Sequence, residues 1–512
     1  MLLNRLRELV EIRPNNIAIQ IDNKKQTYSE FWKSINSLEL FLAKLLRPGD
    51  NVCTLINNEE FLTFSTIFAL YKLGNTYVPL NEKFPYERNV YIINNSNTNH
   101  LIVDGRFINH LELILSKIES KITIIFIGNY DYDIDYLKNK YPNASFYILG
   151  ASIDTINSIS TMNTKPNNCA YILYTSGTTG NPKGVPISKD NLETYILNVL
   201  NIININHEDI CSQFFELTFD LSIHDIFVTF YSGATLCCFT SKYKFRVNKY
   251  IQDFKISVFF TTPSTLALMK GLKQFNADYF RSLKYSLLCG EPLTQSICKE
   301  WHEVIPSAKI INLYGPTETT IAISFYEYYK ELNNLIVPIG KVFSDHNFMI
   351  LDNNLQESVC GELYLSGPQI SDGYIDTNAK ITSFVEFSLP KNTRKIWYKT
   401  GDLVKYENNI LHYLGRIDRQ VKINGYRVEL QEIEARIKMI LGTELVSVIL
   451  KNTGENKILI AYITNVSISD EILMNQLKTT LPNYMLPNKI VRLSEFKFNN
   501  NGKVDYNYLN SL

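Results

Sequence analysis

The sequence predicts an α/β protein: a large N-terminal domain of doubly wound sheets with a β-barrel-like subdomain, then a small, mobile C-terminal α+β domain. Three observations point there. Apolar runs of strand length alternate with helix-period segments through about the first four hundred residues. From about Pro338 the texture changes to short strands separated by Gly, Asp and Asn. Beyond Gly415-Arg-Ile-Asp418 a third pattern begins, long enough for one small core of its own.

One unit of the first pattern shows the logic. The strand Asn51-Val-Cys-Thr-Leu-Ile56 leads into a helix with Phe61, Phe64, Phe68 and Tyr71 on its apolar positions, Gly74 caps it, and Thr76-Tyr-Val-Pro79 returns as a strand. In the second pattern the strands are Phe348–Leu351, Gly361–Leu365, Trp397-Tyr398 and Ile410–Tyr413. In the third, a strand over Gln420–Val428 precedes a helix with Leu430, Ile433, Ile437 and Leu441 on one face; strands over Val446–Leu450 and Ile458–Ile463 and a helix near Glu471–Thr479 follow. The domains divide as residues 1–415 and 419–512. The joint at 416–418 has no Pro/Ser-rich linker, which makes it a tight hinge rather than a tether.

Composition narrows the partners. Lysine plus arginine and aspartate plus glutamate each total 51 in 512 residues, so no basic excess argues for nucleic acid and no polybasic tail argues for a membrane. The N-terminus, Met1-Leu-Leu-Asn-Arg-Leu-Arg-Glu-Leu-Val, is amphipathic without a signal-peptide core, and no apolar run approaches the roughly 20 residues of a membrane span. A cytoplasmic protein acting on a small molecule is the expectation. The 8 cysteines include no C-x-x-C pair and the 7 histidines no HExxH, so neither disulfides nor a structural metal is expected.

The stretch Tyr174-Thr-Ser-Gly-Thr-Thr-Gly-Asn-Pro-Lys-Gly184 carries the first chemical signal. Glycines let backbone N–H groups turn inward, hydroxyls donate further hydrogen bonds, and Lys183 adds a compact positive charge. That composition suits phosphate, which Thr175, Ser176, Gly177, Thr178, Thr179, Gly180 and Lys183 would hold. It is not a Walker loop, because Pro182 and Gly184 flank the lysine where glycine and Ser/Thr would stand. The apolar run Tyr171–Tyr174 before it and the helix start at Lys189 after it place the loop at a strand-to-helix junction.

Four more stretches follow in order: Asn312-Leu-Tyr-Gly-Pro-Thr-Glu-Thr-Thr320, Tyr398-Lys-Thr-Gly-Asp402, Gly415-Arg-Ile-Asp-Arg-Gln-Val-Lys-Ile-Asn-Gly-Tyr-Arg427 and Asn501-Gly-Lys-Val-Asp505. With the opening loop they resemble the adenylate-forming superfamily of acyl-CoA synthetases, luciferases and amino-acid adenylation domains of nonribosomal peptide synthesis. The resemblance covers essentially the whole chain. It implies ATP and Mg2+ as cofactors, with Tyr314 offering a flat face to adenine, Asp402 and Arg416 completing the adenosine site, Thr317 joining the phosphate contacts, and Glu318 meeting the magnesium. Lys503 would bind the carboxylate and phosphate in the first half-reaction, Lys422 would enter for the second, and Asp418 would be the hinge between them. The motif around Lys503 departs only at its end, where Tyr506 stands in a position frequently held by arginine.

The stretch Phe214-Phe-Glu-Leu-Thr-Phe-Asp-Leu-Ser-Ile-His-Asp-Ile-Phe227 points to the branch. Asp220 would pair with an α-ammonium, a contact a fatty-acid ligase does not need. This wording, with Leu288-Cys-Gly-Glu291 and Val185-Pro-Ile-Ser188, is most similar to the D-alanine:carrier-protein ligases. The pocket positions implied are Leu221, His224, Ser264, Leu287, Cys289, Leu313, Ile321 and Ala322, mostly apolar. His224 departs from the apolar side chain usual there. The expected substrate is a small neutral amino acid, with D-alanine, proline and others open, and an acyl-CoA synthetase acting on a non-amino acid is the alternative. No carrier module or condensation domain follows Leu509, so the expected acceptor is the phosphopantetheine thiol of a separate carrier protein, in trans.

Overall fold

A computed structural model describes residues 1–128, 133–149, 168–177, 180–329, 334–376, 383–388, 394–443, 445–453, 456–464, 468–498 and 504–512. Two large sheets dominate. In the seven-stranded sheet the order is Ala144–Ile148, Ile122–Ile127, His100–Asp104, Asn51–Leu55, Thr76–Pro79, Cys169–Thr175 and Lys183–Ser188, parallel except at the last pair. The nine-stranded sheet is parallel from Ile17–Ile21 through Thr235–Cys238, Ile210–Gln213, Val258–Thr261, Tyr285–Leu288 and Lys309–Tyr314, with antiparallel strands at both ends.

Strand periodicity divides the cores. Leu236 and Cys238 join the largest core while Cys237 between them faces a second; Tyr171 and Leu173 join the largest while Ile172 faces a third. The largest core also takes Phe31, Phe68, Phe227 and Phe230, whose rings pack at centroid distances of 4.6–5.5 Å and tie three helices together. The expected strand–helix–strand unit is present as Asn51–Leu55, Phe61–Leu73 and Thr76–Pro79, with Gly74 at φ +77° closing the helix.

The expected position of the phosphate loop needs correction. It joins two antiparallel strands, Cys169–Thr175 and Lys183–Ser188, and the helix Lys189–Leu200 starts only after the second. The run Lys183–Ser188 extends because Gly184, Val185 and Ile187 are buried against the sheet, and Ser188 and Asn191 then form the reciprocal cap that starts the helix. Lys183 therefore sits on a strand rather than in a flexible turn.

From Asn347 a five-stranded antiparallel sheet follows. Its long strand, Arg394–Glu407, pairs with Phe384–Ser388, Cys360–Ser366 and Ile410–Arg416 in turn. Gly340 binds this unit to the nine-stranded sheet: it bridges to Leu411 at φ +82°, and a Cβ there would lie 1.9 Å from the Phe325 carbonyl oxygen.

The C-terminal residues form their own core of Ile433, Ile437, Val448, Leu459, Leu473 and Leu477. The single strand expected over Gln420–Val428 is instead a hairpin, Gln420–Ile423 and Tyr426–Glu429. Asn424 and Gly425 both have positive φ, as a two-residue turn matched to strand twist requires. The helix Leu430–Leu441, the strands Val446–Thr453 and Asn456–Thr464 and the helix Asp470–Lys478 follow as expected. All 8 cysteines are free, and 6 are buried. Among the described residues no helix is long and apolar enough to cross a membrane, and no cluster of His, Cys, Asp and Glu could hold a metal ion.

Gly340→Ala should destabilise the large domain by about 2–6 kcal/mol, since overpacking and left-handed strain each cost about 1–3. The first urea unfolding transition measures it, and should move to lower denaturant.

Candidate active site

The carboxyl ends of the parallel strands carry the site residues. Asp220 is the first residue of the helix Asp220–Ser232, which packs in the largest core. Burial pushes its carboxyl up to about 6 against the opposing pull of the Thr317 hydroxyl and the Lys422 charge. Asp220, Leu221, Cys289, Tyr314, Thr317, Ile321, Asp402, Arg416 and Lys422 surround one cavity of about 40 Å³. Leu313 faces an adjoining one of about 30 Å³, between Cys289 and Tyr413. Four expected pocket walls do not reach these cavities. Leu287 and Ala322 are fully buried in the adjacent core. His224 packs on Phe260 at 4.4 Å between centroids, its Nδ1 is 2.6 Å from the Tyr195 hydroxyl, and burial drives its pKa down to about 3, so the ring is neutral.

Ser264 is the fourth. Thr262 caps the helix Pro263–Gly271, and the free N–H and hydroxyl of Ser264 in its first turn both turn to the buried carboxylate of Glu291. It lines a separate cleft of about 790 Å³ whose far wall is Asn424, Lys457, Tyr484 and Asn488 of the small domain. Glu291 spans that boundary, accepting from the Gly425 N–H at 3.0 Å with Lys457 at 3.6 Å.

The adenosine residues form a chain. The Tyr314 hydroxyl donates to Asp402, whose other oxygen accepts from Arg416 at 2.9 Å, and Arg416 reaches Asp418 with two bonds of 2.6 and 2.7 Å. Gly401 sits beneath at φ +72°, where a Cβ would lie 2.5 Å from the Arg416 guanidinium.

The phosphate loop and Glu318 are engaged by the small domain. Ser176 donates to the Arg427 carbonyl at 2.7 Å and accepts from the Glu429 N–H at 3.0 Å. The Gly177 N–H donates to Glu432 at 3.2 Å, and Gly177 itself tolerates no Cβ, which would meet the Asn181 carbonyl at 2.0 Å. Gly180 turns back to Gly177 at φ +85°, and Lys183 lies 5.3 Å above the Tyr374 ring. Thr178, Thr179 and Lys503 lie outside the described residues.

Glu318 is fully buried, with Arg427 Nη1 at 2.8 Å from both its oxygens and the Tyr374 hydroxyl at 2.6 Å. Burial alone would raise its pKa, but the Arg427 charge and the Tyr374 hydrogen bond hold it below the usual carboxylate range. The carboxylate thus already carries a cation in its coordination positions. A divalent ion fits the same charge requirement once Arg427 has moved away.

Sequence reasoning missed Arg427, Glu432, Glu291 and Arg88 as site residues. Arg427 closes one of the quoted motifs, so its position was a usable signal. Glu432 and Arg88 gave none, because their burial arises only when the two domains meet.

A buried carboxylate, a polar chain from Tyr314 to Asp418 and the loop around Gly177 thus lie along one face that the small domain touches. The chain belongs to the AMP-binding enzyme family, whose model matches residues 6–375. The D-alanine–D-alanyl carrier protein ligase of Lactococcus lactis subsp. lactis is 30% identical over 528 residues, covering 98% of this chain and 97% of that protein. Gramicidin S synthase 1 of Brevibacillus brevis is 30% identical over 510 residues, 97% of this chain. The chain spans only 43% of that protein, and 18% of a mycosubtilin synthase of Bacillus subtilis. The Vibrio cholerae adenylation domain AlmE, solved in complex with glycyl-adenosine-5'-phosphate, matches with a TM-score of 0.88 at 26% identity, covering 99% of this chain and 97% of that one. The shared architecture is a large N-terminal and a small C-terminal domain.

Arg427→Ala would leave Glu318 buried without its cation, and breaking such a pair costs about 3–5 kcal/mol. We expect the small domain to undock, giving a larger radius of gyration by X-ray scattering and faster tryptic cleavage at Arg416 and Arg419.

Proposed function

We propose that this enzyme activates a small neutral amino acid as its aminoacyl adenylate and transfers it to the phosphopantetheine thiol of a separate carrier protein. The observation that carries the reading is Asp220, a buried carboxylate at a cavity of about 40 Å³ that has Leu221, Cys289 and Ile321 as apolar walls and Asp402, Arg416, Lys422 and Arg427 on its other sides. Asp220 makes no ion pair among the described residues, and an α-ammonium would pair with it directly. Apolar walls at Leu221, Cys289 and Ile321 suit a small neutral side chain. The AlmE complex, which holds a glycyl adenylate, and the alanine ligase relatives support the same size class.

In the first half-reaction the substrate carboxylate attacks the α-phosphorus of ATP and pyrophosphate leaves. The phosphate loop and Thr317 hold the β- and γ-phosphates, Tyr314, Asp402 and Arg416 hold the adenosine, and Lys503 screens the approaching carboxylate from phosphate charge. Magnesium held by Glu318 would neutralise part of the phosphate charge. In the second half-reaction a thiolate attacks the acyl carbon and AMP leaves. Lys422, beside the cavity in the present arrangement, belongs to this step. The cleft of about 790 Å³ between the helix Pro263–Gly271 and the small domain supplies room for a long thiol-bearing arm. Rotation about Asp418, between residues 1–415 and 419–512, exchanges the two arrangements.

Amino-acid-dependent ATP–pyrophosphate exchange over the common L- and D-amino acids tests the reading. Glycine or alanine should be best, with measurable leakage to neighbours of similar size, because apolar walls discriminate by about 1–3 kcal/mol per methylene. Asp220→Ala should depress exchange at least about a hundredfold, or 2.7 kcal/mol. Because only the ionised carboxylate pairs with ammonium, kcat/KM for the amino acid should hold above pH about 6 and fall below it as Asp220 takes up a proton. A carboxylic acid without an amino group as best substrate would overturn the reading in favour of an acyl-CoA synthetase.

A further inference from the structure

Arg88, on the helix Tyr86–Asn95 of the large domain, meets Glu432, on the helix Leu430–Leu441, in a buried ion pair. The pair is not closed on itself. Glu432 Oε1 accepts from Arg88 Nη1 at 2.8 Å, and Oε2 accepts from the backbone N–H of Gly177 at 3.2 Å. One carboxylate is therefore gripped by two donors of the large domain, one of them inside the phosphate loop. Arg88 is 5% exposed, and its Nε has no hydrogen-bond partner among the described residues.

The donors and the anion thus come from opposite sides of the domain boundary. When the small domain rotates, Glu432 leaves while Arg88 and Gly177 stay with the large domain. The Arg88 guanidinium is then left without its carboxylate, beside a loop N–H that has lost the same acceptor. A planar fork beside a backbone N–H suits a phosphate oxygen as well as a carboxylate.

We propose that Arg88 is a polyphosphate-binding residue, and that the site it forms with the Gly177 N–H holds the Glu432 carboxylate in one domain orientation and a β- or γ-phosphate oxygen in the other. This rests on the reading above, in which the loop holds the phosphates that leave as pyrophosphate. Glu432 and pyrophosphate then compete for the same donors. Docking in the present orientation follows pyrophosphate release, and added pyrophosphate opposes it.

The test is calorimetric binding of magnesium pyrophosphate to the full chain, with neither ATP nor amino acid present. Arg88→Ala should weaken binding at least about tenfold. Glu432→Gln should strengthen it at least about threefold, because the competing charge is gone while Arg88 remains, and should slow acyl transfer from a preformed adenylate. Opposite signs are the signature, since a merely structural pair would move both variants alike or neither. Any other combination overturns the proposal. If Arg88→Ala does not fold, Arg88→Lys carries the test, with a smaller loss in the same direction. Because the probe needs no amino acid, failure here is separable from failure of the exchange panel.

Discussion

The buried ion pair between Arg427 and Glu318, one guanidinium nitrogen on both carboxylate oxygens, holds the present arrangement of the domains. Glu318 is fully buried and ionised, so it must always face a cation. Arg427 meets that need only when the small domain is docked as described, because it arrives on the hairpin strand Tyr426–Glu429. The same docking seats Lys422 beside Asp220 and turns the donors of Ser176 and Gly177 toward the small domain. One buried charge therefore couples domain orientation to the state of the phosphate site.

The same principle recurs at a second acidic residue. Glu291 is buried and bridges the domains through Ser264 on one side and Gly425 with Lys457 on the other. Glu318, Glu432 and Glu291 each take a partner from across the domain boundary. Buried charge pairs contribute little net stability but cost much when broken singly. These pairs specify orientation alongside the aromatic contacts Phe219–Tyr426 and Phe84–Tyr484 across the same boundary.

Much of this was legible in the sequence because it is local. The phosphate loop, Tyr314, Glu318, Asp402 and Lys422 stand in contiguous motifs, and period and caps gave the strand–helix–strand unit from Asn51 to Pro79 with little error. The parts that were not legible depend on long-range contact. The sequence pattern suggests Ser264 as a pocket wall, but the carboxylate that orients it is Glu291, brought alongside by the fold. The phosphate loop was placed before a helix because nothing in Lys183–Ser188 announces an extra antiparallel strand. Arg88 and Glu432 read as ordinary helix-surface charges, since each is buried only by the other's domain.

The central claim is that buried charges of the small domain and the ligands of the phosphate site occupy the same positions in turn. A spin-label distance between Cys360, exposed on the large domain, and Met439→Cys, at a position 74% exposed on the small one, reads the orientation directly. The account predicts one distance distribution for the free enzyme, a shift to a second on adding magnesium and ATP, and return to the first when an adenylate analogue is bound without pyrophosphate. A distribution that magnesium and ATP leave unchanged would contradict it.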